Sequence, residues 1–155
     1  MKKHKNFIWL VAASAVIITV SLLFVDNNDR NAINLPDTDL ITRIELEQIG
    51  NLGTTGGGVV TLQRRSNINA VMSALSDATR LAGTGSGSAS NDTPFQENYL
   101  AIRPYMKNAE GEEILAARLF LYTESGEERI FNSYRGIYKI TQENSDQIRR
   151  IYENR

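Results

Sequence analysis

The chain contains no cysteine, and its single histidine is His4. Without cysteine there is no disulfide framework, no thiolate nucleophile, no cysteine-ligated zinc or iron–sulfur site, and no acylated N-terminal cysteine of a bacterial lipoprotein. With its one imidazole in a basic leader, the remainder lacks the residue on which most triads, metal sites and pH switches rely. Proline is scarce, with three residues in 155. An excess of either charge is missing too: 17 Lys and Arg face 18 Asp and Glu, a formal net charge of −1. These absences remove most catalytic constellations before any motif is sought.

What is present is unevenly distributed. Residues 1–6 carry Lys2, Lys3 and Lys5 and no acid, and Phe7 to Val25 then runs 19 residues without a charge. As a helix this run is about 28 Å long, close to the roughly 30 Å hydrocarbon core of a bilayer. Trp9 near the basic end suits a headgroup interface. Ala13-Ser14-Ala15 comes too early for signal-peptide cleavage, and Leu22-Leu23-Phe24-Val25 is a poor recognition site. Residues 7–25 therefore read as an uncleaved signal anchor, in preference to a cleaved signal or a buried core helix. The lysines place the N-terminus in the cytoplasm and everything after Val25 outside, a single-pass arrangement in the cell membrane. Divided there, residues 26–155 hold 14 bases against 18 acids, a net charge of −4. Such a surface argues against nucleic acid as a partner and against a polybasic membrane-hugging face.

Residues 26–38 are polar, contain Pro36 and read as a tether. Residues 39–155 are expected to form an extracytoplasmic α+β domain. Leu40 to Ile49 alternates as a half-buried strand, and Val59 to Leu62 is its hairpin partner across a glycine-rich break. Ser66 is the expected cap of a helix carrying Ile68, Val71, Met72, Leu75, Ala78 and Leu81 and ending near Gly83. After the Gly/Ser-rich stretch Gly83 to Asn98 come strands at Tyr99 to Met106, Ile114 to Thr123, Arg129 to Ser133 and, shorter, Gly136 to Ile140. Thr141 or Ser145 caps a C-terminal helix bearing Ile148, Ile151 and Tyr152. Short turns between strands imply an antiparallel sheet of about five strands, with one or two helices packed on one face.

Candidate chemistry is thin. Gly83, Gly85 and Gly87 follow a helix and lack the lysine of a phosphate loop, and Gly56–Gly58 precedes a strand. The carboxylate pairs Glu112-Glu113 and Glu127-Glu128 fall in predicted turns, where solvent would keep them ordinary, whereas a glycosidase needs one acid with a raised pKa. Asp26 to Asp29 lacks the glycine and closing glutamate of a calcium loop. No catalytic residue, metal site or cofactor site is expected. Asn91-Asp92-Thr93 is formally a glycosylation sequon, though Pro94 hinders that use, and Asn-Asp-x-Pro is also a turn former. Tyr134, Arg135 and Tyr138 have the composition of a binding hot spot. The same cluster is compatible with Tyr138 and Ile137 packing in the sheet while Gly136 makes a bulge.

Ser90-Asn91-Asp92-Thr93-Pro94 and Tyr134-Arg135-Gly136-Ile137-Tyr138-Lys139-Ile140 together resemble an uncharacterised family of small Gram-positive extracytoplasmic proteins. The family is catalogued as a domain of unknown function. The similarity spans about Ile41 to Tyr152. It implies an N-terminal membrane or lipid anchor, an Ile-rich first strand, a short helix, an Asn-Asp-x-Pro loop and a closing Tyr-x-Gly-Ile-Tyr, and no activity. The segment Gly83–Ser90 and the insertion Gly56–Gly58 depart from the pattern, so loop function does not carry over. The expected function is thus a membrane-tethered, non-enzymatic binding module for an unidentified protein or cell-envelope ligand. Its candidate partner-binding residues are Asn91, Asp92, Tyr134, Arg135 and Tyr138. The alternatives are a carboxylate-dependent cell-wall hydrolase and a structural subunit that packs through Ala12–Ala15.

Overall fold

The central strands alternate between apolar side chains on one side and polar or aromatic ones on the other, which forces a two-faced sheet. A computed structural model describes residues 32–50, 55–82, 96–133 and 135–154. After a 3₁₀ turn at Thr38–Leu40 come β1 (Ile41–Ile49), β2 (Thr55–Leu62), helix α1 (Arg65–Ser76) and β3 (Thr79–Arg80). These are followed by β4 (Tyr99–Lys107), β5 (Glu113–Leu115), β6 (Leu119–Glu124), β7 (Glu127–Asn132), β8 (Gly136–Lys139) and helix α2 (Gln142–Glu153). The expected antiparallel α+β architecture is observed, but the described residues form eight strands and not about five. The order is β2-β1-β4-β6-β7-β8-β3, with β5 also on β4.

Long-range pairing accounts for the differences. The strand expected over Ile114–Thr123 is divided into β5 and β6. Pro104 in β4 has no N–H, and its carbonyl accepts from Ala116 N at 2.9 Å. β5 pairs to one side of that point, Tyr105 opposite Leu115, and β6 to the other, Leu100 opposite Leu121. The helix expected to reach Gly83 stops at Ser76. Ala78 N closes the last turn onto Leu75 O at 3.1 Å, and Thr79–Arg80 leave to pair with β8. The N-cap is Arg64 and not Ser66, which lies inside the first turn. Part of the stretch 26–38 expected as a tether belongs to the fold: Ala32 bridges to Thr79, and Ile33, 5% exposed, belongs to the core. Thr141 does cap α2, its Oγ1 accepting from Asn144 N at 3.2 Å.

The main core lies between the helices and one sheet face. Ile44 and Leu46 of β1, Leu100 and Ile102 of β4, Leu119 and Leu121 of β6, and Ile130 of β7 are fully buried there with Ile68, Val71, Met72 and Leu75 of α1 and Ile148 of α2. The opposite face carries a smaller cluster of Ala101, Phe120, Tyr122 and Phe131, with Tyr99 and Ile137 against it. Tyr99 meets Phe120 edge-on at 5.3 Å between ring centroids. Two positive φ values, at Ser125 and Gly126, give β6–β7 a two-residue turn of the type that suits strand twist.

One charged residue joins the two layers. The sequence pattern places Glu113, Glu127 and Glu128 in turns, but all three lie in strands, and Glu128 of β7 faces the helices at 6% exposure. Ser145 Oγ donates to its Oε2 at 2.7 Å, Thr123 Oγ1 to its Oε1 at 2.6 Å, and Arg149 Nη2 to Oε2 at 3.0 Å. Burial pushes the carboxyl pKa up, but the three donors outweigh it and hold Glu128 below its ordinary value. Glu127 and Glu128 look alike in sequence until the strand register fixes which one points inward.

Ile148→Ala should cost about 2–5 kcal/mol of stability in urea unfolding of the full chain, while Val59→Ala at an exposed position should stay within about 0.5 kcal/mol. Equal effects would contradict the assigned core. Glu128→Gln should cost about 1–3 kcal/mol at pH 7, since the carboxylate's partners lose a charge-assisted acceptor. The folded pKa lies below the unfolded one, so this stabilisation is fully present above about pH 4.5 and is lost as pH falls through the folded value. The stability gap between Glu128→Gln and the parent should therefore narrow in acid. A gap that does not shrink as pH is lowered from 7 would refute the linkage.

Candidate functional site

On the helix-free face, β1 and β4 bring opposite charges into register. Glu45 stands across from Arg103 and Arg43 across from Tyr105. Arg43 lies over the Tyr105 ring, 3.6 Å from its centroid, and its Nε donates to Glu113 Oε2 at 2.8 Å. The same guanidinium bonds Glu45, whose other oxygen accepts from the Tyr105 hydroxyl at 2.9 Å. Thr42 Oγ1 donates to Glu113 Oε1 at 2.7 Å, and Arg103 pairs with Glu47. The pKa values follow the bonding. The hydrogen bond to Glu113 raises Arg43, the Thr42 and Arg43 donors lower Glu113, and burial followed by the Glu45 hydrogen bond raises Tyr105. This network pins β1, β4 and β5 together, and its charged groups are spent on one another. Beside it Tyr99, Arg103, Tyr105, Phe120 and Arg118 line a shallow concavity of about 430 Å³.

The other feature lies at the end of the sheet, where the link between β5 and β6 meets the β7–β8 turn. Ser133 N donates to Arg118 O at 3.3 Å, and Arg135 N donates to Asn132 O at 3.0 Å, so the two chain segments are held side by side. Arg80 of β3 fixes the turn from outside, with Nη2 donating to Arg135 O at 3.0 Å. Gly136, at φ +123°, lets the chain leave this turn into β8, directly opposite Asn132. Between them is a cleft of about 450 Å³ lined by Arg118, Asn132, Ser133 and Arg135, with Asn34 alongside and Ala116 and Ala117 as an apolar side.

Polar satisfaction in this cleft is incomplete. Asn132 is 4% exposed, and its Nδ2 has no hydrogen-bond partner among the described residues. Arg118 and Arg135 are exposed, and neither guanidinium has an ion-pair or hydrogen-bond partner among the described residues. Buried amide donors are ordinarily bonded, so the orphan at Asn132 is an exception, and it falls on a residue that lines this cleft. A second buried orphan, Arg129 Nε, belongs to a guanidinium already paired with Glu124 and Glu127. Among the described residues, the carboxylates with displaced pKa values are Glu113, Glu127 and Glu128, and all are moved down. A proton-donating acid needs the opposite shift. No group of three or more His, Asp or Glu among the described residues is placed to hold a metal ion.

The expected partner-binding residues fare unequally. Asn91, Asp92 and Tyr134 lie outside the described residues. Arg135 lines the cleft. Tyr138 is 4% exposed in the main core, paired with Ile130, so packing accounts for it. Gly136 makes no bulge, since it pairs in register with Asn132. Arg118 and Asn132 carry no sequence signal of a shared site. Only the β6–β7 register, with Leu119 opposite Asn132, brings them together. The span 7–25 lies outside the described residues, and among the described ones no helix is long and apolar enough to cross a membrane.

No curated protein and no solved structure matches the chain. A family model does match, over residues 29–139, and it carries the description "Domain of unknown function (DUF5300)". The matched segment contains the eight described strands and α1 and stops before α2. It also includes the buried Ile33, which the sequence pattern assigns to a tether. The chain is a member of this family, DUF5301.

Proposed function

We propose that the protein is a binding module tethered outside the cell membrane by residues 7–25, and that it engages a protein or cell-envelope partner through the cleft between Arg118 and Arg135. The observation that carries this reading is the pair of guanidiniums without partners among the described residues, beside the unsatisfied Asn132 amide. Elsewhere on the sheet the charged groups largely neutralise one another, so this is where binding energy is still to be gained. Hydrolysis by paired carboxylates is less favoured. Glu128 is buried, but it is clamped by three donors that hold it ionised, and Glu45 and Glu113 both bind Arg43. The uncharged run and its three flanking lysines support the membrane tether and its orientation.

The test uses the full chain in its native cells. A photoreactive residue at Ala117, on the cleft wall, should give a discrete light-dependent adduct. The same probe at Val59, exposed on the edge strand β2, should not. Arg118→Ala combined with Arg135→Ala should remove the Ala117 adduct while leaving protein abundance unchanged. Protease added to intact cells should digest the domain and spare the anchor. An adduct indifferent to both arginines, or a domain shielded until the membrane is broken, would overturn the reading.

A further inference from the structure

We infer that this cleft is a carboxylate-binding site, and that its ligand is an acidic peptide whose carboxylate sits between Arg118 and Arg135 while its neighbouring apolar side chain rests on Leu115, Ala116 and Ala117. The inference rests on the reading of the cleft as the contact surface and adds the chemistry of what enters it. Three observations select an anion. Arg118 and Arg135 line the space, their guanidiniums have no counter-ions among the described residues, and a guanidinium fork matches a carboxylate with two parallel hydrogen bonds. Asn132, whose buried amide nitrogen has no acceptor, lines the same space. On the adjoining face Glu45 and Glu113 are already bound by Arg43 and so do not fill the role.

Charge and lining choose between an acidic peptide and a phosphate-bearing polymer. A polyanion is held by many cations along a track, but here two arginines form the cationic lining of a cleft, and residues 26–155 taken together carry −4. Such a balance repels extended negative charge and tolerates one compact anion. The wall beside the arginines is built from Leu115, Ala116 and Ala117, which offer a sugar-phosphate chain nothing but give an aliphatic side chain a dry seat. One carboxylate flanked by an apolar residue satisfies both halves of the cleft. A peptide supplies it from an Asp or Glu side chain or from its own C-terminus.

The experiment is a titration of the ¹⁵N-labelled full chain in detergent micelles, read at the Asn132 side-chain amide. The probes are acetyl-Ala-Glu-Leu-amide, its Gln counterpart, acetyl-Ala-Leu with a free C-terminus, and inorganic phosphate. The Glu peptide or the free-terminus peptide should shift the Asn132 signal, and whichever binds more tightly identifies the source of the carboxylate. The Gln peptide and phosphate should bind at least about tenfold more weakly, as should the tighter peptide to Arg118→Ala or Arg135→Ala. Both side chains are exposed, so these variants should keep the parent spectrum away from the cleft. Arg118→Lys should recover part of the loss through charge alone. Neutral-peptide binding equal to that of both carboxylate peptides, or preference for phosphate, overturns the assignment. If no probe moves Asn132 while the Ala117 cross-link persists, the carboxylate chemistry is wrong and the binding-module reading stands; if the cross-link is absent as well, both fall.

Discussion

A proline inside a sheet has no N–H to give, and the edge of β4 that faces β5 and β6 is organised around that loss. Pro104 is opposite Ile44 on the β1 side, where the ladder continues. On the other side its carbonyl is met by Ala116, and nothing can be accepted from its nitrogen. A strand running straight through would set an unanswered carbonyl against the missing N–H. The chain instead ends β5 at Leu115, steps across Ala116–Arg118 and resumes pairing as β6 at Leu119. This step brings Arg118 to the surface at the mouth of the cleft. A hydrogen absent from one strand thus helps to position a cation on the link between two others.

The two faces of the sheet use their side chains differently, and the difference explains why unmatched groups collect at its end. Toward the helices, area removed from water dominates, and the buried charge admitted there, Glu128, is met by Thr123, Ser145 and Arg149. On the other face, cross-strand pairing dominates, and Arg43, Glu45, Tyr105 and Glu113 close on one another. Arg129 is ion-paired there as well, through two of its three nitrogens. At the end of the sheet the strands give way to turns. Asn132, Arg118 and Arg135 are set there by backbone hydrogen bonds that do not involve their side chains.

Local signals make much of the fold legible. The β1–β2 hairpin, the apolar stripe of α1 and the Thr141 cap of α2 each depend on residues close in the chain. They fall short where a distant partner decides the outcome. Ala78 and Leu81 continue the helical spacing, but pairing of Thr79–Arg80 with β8 captures the chain first. Glu128 is indistinguishable from Glu127 until burial of Ile130 fixes which side of β7 faces the helices. Of the candidate site, Arg135 is visible because it stands among tyrosines, and Tyr138 misleads for the same reason. Asn132 carries no signal at all. An asparagine before a turn is common, and its lack of a partner is a property of the folded chain alone.

The turn at Ser125–Gly126 also bears on the order of assembly. It joins β6 to β7 with two residues, so that hairpin forms with almost no loop to close. The β1–β4 seam brings together residues such as Glu47 and Arg103, 56 apart in the chain, and requires a far larger loop to be gathered in. Chain entropy therefore favours early assembly of the segment that carries Asn132 and late sealing of the seam that carries the Arg43 network.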